Sequence, residues 1–111
     1  MKSILIAITL FFTAVTAYAN GYCDTRPNAS EVSRCYQNSI NGDKAVMNKN
    51  YKTLSTLPKI TEKEHQRLKQ SQDAWANATN SGCRTAKCVD DSLIARNQIL
   101  VRDIYIIAAR K

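Results

Sequence analysis

The chain has 111 residues, with 16 basic and 9 acidic side chains, one His, four Cys and three Gly, giving a formal net charge of +7. That length holds one domain and excludes a second. A chain this short buries only about 60–65% of its unfolded surface, so cross-links matter to its stability.

The first nineteen residues carry Lys2, an apolar run from Ile4 to Val15, and Ala17-Tyr18-Ala19. A positive end, a short apolar stretch and an Ala-x-Ala site define a secretory signal peptide. The run falls short of the roughly 20 apolar residues that span a bilayer. Cleavage after Ala19 is therefore expected, leaving residues 20–111 as the mature domain. Cys23 follows Asn20-Gly21-Tyr22 rather than a Leu-containing lipidation box, so a soluble product is expected. Its destination is the bacterial periplasm, or secretion beyond it. Without Lys2 the mature part carries 15 basic and 9 acidic residues, a net charge of +6. This basic protein spreads its charges along the chain, as solvated helix faces do, with attraction to acidic partners as a secondary consequence. Nucleic acid is not an expected partner in that compartment.

Asn28 followed by Glu31 resembles a capped helix start. Val32, Tyr36, Ile40, Met47, Tyr51 and Leu54 then recur at helical spacing, which predicts one long helix to about Leu57. Asn41-Gly42 is a turn signal inside it that could kink or split the helix. Pro58 closes it, because the residue before a proline is pushed out of the α region. Thr61-Glu62-Lys63-Glu64 supplies a capping box, with Ile60 as a hydrophobic staple. The second helix is expected from Glu62 to about Asn80, with Gly82 just past it as a left-handed cap. A third starts between Ala86 and Asp90 and places Val89, Leu93, Asn97, Leu100, Ile104 and Ile107 on one face. Asp90 and Asp91 in its first turn, and Arg110 and Lys111 in its last, suit the helix macrodipole. No stretch alternates with period two. The fold expected is all-α: a small three-helix antiparallel bundle stapled by two disulfides.

The cysteines Cys23, Cys35, Cys83 and Cys88 all lie in the mature part. An even count in an oxidising compartment reads as two disulfides. Zinc is the rival, but the spacings lack paired Cys-x2-Cys knuckles and His65 sits far from all four. A hinge near Lys59 makes Cys35 and Cys83 equidistant from it, which favours Cys35–Cys83 with Cys23–Cys88. The crossed set, Cys23–Cys83 with Cys35–Cys88, stays open.

Cys23, Cys35-Tyr36, Asp43, Met47-Asn48 and Tyr51-Lys52-Thr53-Leu54 together resemble the opening of the LprI-type family of small exported bacterial proteins, named for lysozyme inhibition. Gln72 with Ala74-Trp75 resembles that family's Gln-x-x-Trp helix, and Cys88, Leu93, Arg96 and Leu100 its closing segment. The likeness covers residues 23 to 100. It departs after Trp75, where Ala78-Thr79-Asn80 replace a Tyr-Arg-Asp-type segment. The resemblance implies a lysozyme-inhibitor-like binding protein that acts by protein–protein contact.

No nucleophile, base or metal cluster stands out, so neither enzymatic activity nor a cofactor is expected. His65 sits among charged neighbours as an exposed or rim residue. Asp90 and Asp91 point about 100° apart on a helix and make no catalytic pair. Asp43 falls on the core-facing stripe, where it either caps the helix after Gly42 or pairs with Arg96. Asn48, Tyr51 and Trp75 are expected in the packing seam between the first two helices, where buried Tyr and Trp need polar partners. Two surfaces are candidates for a partner: the tip Leu57, Pro58, Lys59 and Ile60, and the cross-linked end with Asn80, Ser81, Arg84 and Thr85. The run Ile104 to Ile107 exceeds one helix stripe and is a candidate contact for an oligomer or partner. The alternatives to a lysozyme inhibitor are an envelope partner-binding protein, such as an immunity or stress-protective factor, and a charge-driven peptidoglycan-associated module.

Overall fold

The computed structural model describes residues 23–111. The signal peptide, its cleavage after Ala19 and the mature start at Asn20 lie outside the described residues. Three long helices follow: α1 (Ala29–Ser55), α2 (Glu62–Gly82) and α3 (Ala86–Ala108). Each start is set by a side chain that satisfies an orphan backbone N–H. Asn28 accepts from Glu31 N, Thr61 forms a reciprocal capping box with Glu64, and Thr85 accepts from Cys88 N. Among the described residues no helix is long and apolar enough to cross a membrane.

The core is a ladder. Ile40, Met47 and Leu54 of α1 meet Leu93, Leu100 and Ile107 of α3, with Leu68 from α2 completing the cluster. Both sets step by seven, the repeat that keeps one seam facing a partner helix along its length. Because α2 is the return leg, α1 and α3 run parallel. Ser39 therefore pairs with Asp90 near one end, and Asn50 with Asn97 further along. α2 runs antiparallel to both and contributes only Leu68 and Thr79 to the buried set. Burying one Leu or Ile is worth about 1.5–3 kcal/mol, so the α1–α3 seam supplies most of the apolar stabilisation.

α1 is the one long helix expected, continuous through Asn41-Gly42, because twelve further residues of packed stripe outweigh the weak local preference of one glycine. Two expectations need correction. Gly82 ends α2 within the helix, without a left-handed conformation, and Cys83 is the cap. The disulfides are Cys23–Cys35 and Cys83–Cys88, not either of the long-range pairings. All four cysteines do lie at one end, where Lys87 reaches Asp24. Each half of a long-range pair nevertheless finds a nearer partner: Cys23 folds back onto α1, and the bend at Arg84-Thr85 brings Cys83 and Cys88 to a Cα separation of 5.4 Å.

Two outcomes follow. A Cβ at Gly42 meets nothing within 4 Å, so Gly42→Ala is expected to raise the unfolding free energy by about 0.5–1 kcal/mol through helix propensity alone, read by urea denaturation. Loops of 12 and 5 residues are worth about 3 and about 2 kcal/mol by chain entropy. Replacing Cys23 and Cys35 together by Ala should therefore destabilise the chain more than replacing Cys83 and Cys88, and non-reducing peptide mapping should recover the two local pairs.

Candidate functional site

At the cross-linked end, Cys23 is 1% exposed and Tyr36 3%. The Tyr36 hydroxyl donates to the Asp24 carboxylate. Burial and that carboxylate push the phenol up to about 12, and the same bond holds Asp24 below the ordinary carboxylate range. Lys87 adds an ion pair to Asp24 at 3.6 Å. The second bridge, Cys83–Cys88, ties the last turn of α2 to the first of α3. Asn80, Ser81, Arg84 and Thr85 are all exposed there. Two of them are already held: Ser81 Oγ donates to Asn77 O at 2.8 Å, and Thr85 Oγ1 accepts from Cys88 N at 3.1 Å. This end is thus a rigid polar corner whose free valence is Asn80 and Arg84.

The opposite tip is built differently. Leu57 and Ile60 turn inward and pack on the core, so only Pro58 and Lys59 face solvent. The apolar knob expected from Leu57 to Ile60 is not formed, because both apolar side chains pack against the cluster that includes Leu54 and Leu68. Arg110 clamps the tip with two 2.6 Å bonds to Glu64 and a 3.3 Å bond to Lys59 O. That fork, with the capping contact from Thr61, pulls Glu64 down to about 2. A cavity of about 270 Å³ lies beside it, lined by Leu54, Ile60, Leu68 and Ile107 with Glu64, Arg67, Asp103 and Arg110 at its edge. Ile106, 52% exposed, is one lip. Tyr105 is also exposed, whereas Ile107 is buried.

Between the two ends lies a polar layer that the spacing did not reveal. Asp43 neither caps a helix nor meets Arg96. It faces Asp90, which is 0% exposed, with Ser39 between them. Asp90 therefore does not serve as an exposed complement to the helix dipole, as its place near the start of α3 suggested. Ser39 Oγ donates to Asp90 Oδ1 at 2.9 Å and lies 3.5 Å from Asp43 Oδ2. Asp90 Oδ2 is buried with no hydrogen-bond partner. A hydroxyl carries one proton and cannot donate to both carboxyls at once, so the two acids face each other with a single Ser39 proton between them. Burial first, and then Asp90, push Asp43 up to about 7. Below this layer Asn97, fully buried, donates to Asp43 O at 3.1 Å and accepts from Asn50 Nδ2 at 3.2 Å.

Arg96 is buried against α2, where Nε donates to Gln72 Oε1 at 2.8 Å and a terminal nitrogen to Ser71 Oγ at 3.0 Å. Desolvation lowers its pKa. Trp75 Nε1 donates to Ser92 Oγ at 2.9 Å, so the indole is anchored to α3 rather than lying in an α1–α2 seam. Tyr51 is half-buried against the core, but Asn48 is exposed. Its place in the polar layer is taken by Asn50, two positions on and 200° round the helix. His65 is half-buried at the rim of α2.

Residues 23–104 match the family described as Lysozyme inhibitor LprI. The chain belongs to the LprI family. No curated protein and no solved structure matches it. The positions that suggested LprI membership now have physical roles. The four cysteines close the two local loops, and Asp43 occupies the buried carboxyl pair. Gln72 receives Arg96, and Trp75 locks α2 onto α3. These are scaffold roles.

Asp43 makes stability depend on pH. Asp43 keeps its proton up to about 7 when folded, but only to about 3.9 when unfolded. Its contribution is complete below the unfolded value and is lost as pH rises through about 7. Glu64 acts in the opposite sense, but only as pH falls from 4.5 towards about 2. Urea unfolding should therefore show the chain about 1–2 kcal/mol more stable at pH 5 than at pH 8, after discounting for the partial exposure of Asp43. Asp43→Asn should flatten that slope, and equal midpoints for the parent chain at both pH values would exclude the raised Asp43 pKa.

Proposed function

We propose that the chain is exported through residues 1–19 to the periplasm, or secreted, and acts there as a lysozyme-inhibitor-like protein by direct contact with its target. The observation that carries this reading is the family match, which spans 82 residues and takes in all four cysteines. The geometry supports the contact role, since two disulfides and an ion pair hold the end bearing Asn80, Ser81, Arg84 and Thr85. A corner ordered before binding loses less entropy on association. Of the two surfaces expected to meet a partner, this one presents more free polar groups than the tip, where Pro58 and Lys59 remain.

Charge shapes how such binding must work. A mature chain of net charge +6 is repelled by a basic lysozyme during encounter, so affinity rests on short-range contacts, and added salt should not weaken it. Lytic assays with several lysozyme types, with and without the purified oxidised protein, test the reading. Slowed lysis is expected for at least one type, with Arg84→Glu altering inhibition and Lys59→Glu leaving it in place. Lysis unchanged across all types would remove lysozyme from the function.

A further inference from the structure

α1 and α2 make little direct contact, and between them they leave a groove floored by Val89 and Leu93 of α3. It has a volume of about 180 Å³ and includes Met47, Trp75 and Leu93 as apolar walls, with Lys44, Asn48 and Asn80 at its edge. No carboxylate lines it. In this it differs from the larger cavity at the tip, whose Arg67 and Arg110 are matched by Glu64 and Asp103. Among the described residues Lys44 has no ion-pair partner, and the side chains of Asn48 and Asn80 have no hydrogen-bond partner.

The groove is also preset. Ser92 takes the Trp75 N–H at 2.9 Å, and Gln72 holds Met47 through a 3.4 Å contact to sulfur. The indole N–H is thus spent, and what Trp75 offers a ligand is its ring surface. An aromatic face is electron-rich and attracts the weakly positive C–H bonds of a flat saturated ring. Each amide beside it carries both donors and an acceptor, which match hydroxyl groups that also do both. Lys44 adds a place for one negative group. The space is well under the roughly 300 Å³ of a pocket that encloses a drug-sized ligand, so it takes one ring of a longer chain.

We propose that this groove binds an acidic sugar, a pyranose ring stacked on Trp75 with its carboxylate on Lys44 and its hydroxyls on Asn48 and Asn80. A purely apolar partner side chain would leave the cation and both amides unused. The sugar chosen as probe, N-acetylmuramic acid, rests on the envelope location proposed above, whereas the site itself does not. Nor does it need the chain to inhibit a lysozyme.

The chain has a single tryptophan, so its fluorescence reports this groove alone. The oxidised mature protein is titrated with an N-acetylglucosamine–N-acetylmuramic acid disaccharide, with the neutral N-acetylglucosamine disaccharide beside it. A saturable change in emission is expected with the acidic sugar, about tenfold weaker for the neutral one and for Lys44→Ala, the loss of one charge-assisted contact. Lys44 is exposed, so that variant keeps the fold, and circular dichroism confirms it. In parallel, the side-chain amide resonances of Asn48 and Asn80 should shift with the acidic sugar. An unchanged emission at millimolar sugar, or equal binding by Lys44→Ala, would overturn the proposal. Amide shifts confined to residues near Arg34, Lys49 and Lys52 would also overturn it, by showing general charge attraction to the outer face of α1. A lytic assay that fails while this titration succeeds removes only the lysozyme reading.

Discussion

Everything in this fold depends on the parallel seam between α1 and α3. Two helices that run the same way cannot be joined by a short turn, and here a third helix carries the chain back. That is the task of α2, and it explains why α2 is so sparsely buried. Its Leu68 reaches the core, while Thr79, Gln72 and Trp75 fasten it to the other helices largely by hydrogen bonds and edge packing. A seven-residue repeat of Ile, Met and Leu supplies the attraction, and polar groups at defined heights fix the register. Sliding α3 by one turn would separate Asn97 from both Asn50 and Asp43, and would strand Asp90 without Ser39. Burying those groups unpaired costs far more than the slide could recover.

The buried polar layer therefore resolves an ambiguity that an all-apolar seam would leave. A ladder of similar aliphatic side chains is nearly indifferent to shifts of seven, whereas Asn97 accepts only one position along α1. The carboxyl pair above it adds a second constraint, at the cost of bringing two acids face to face. Arg96 follows the same logic on the α2 side, since a buried guanidinium is tolerable only where oxygens accept from it, as Gln72 Oε1 and Ser71 Oγ do here.

The covalent staples act locally and leave long-range order to packing. Each closes a short loop at the same end of the bundle, where the chain enters α1 and where α2 turns into α3. The opposite end has no disulfide, and the Arg110–Glu64 fork takes that place. An exposed corner held in this way lies beside an acid-free groove with a fixed indole, whereas the apolar side chains of the tip are consumed by the core.

Helix positions were legible in the sequence because they depend on local physics: a cap three residues before its N–H partner, a proline that ends α1, apolar residues at helical spacing. The core residues Ile40, Leu54, Leu93 and Leu100 followed from the same periodicity, and the family from the spacing of the cysteines, Gln72 and Trp75. What periodicity cannot convey is which of several side chains on one stripe meet across a seam. Asp43 and Arg96 both looked available to each other, yet α1 presents Asp43 to Asp90 while α3 turns Arg96 towards α2, an outcome set by rotation about helix axes. Cysteine pairing failed for a related reason: placing four residues at one end of a bundle does not rank the pairs among them, and only the backbone path at the two bends brought each cysteine to its near neighbour first.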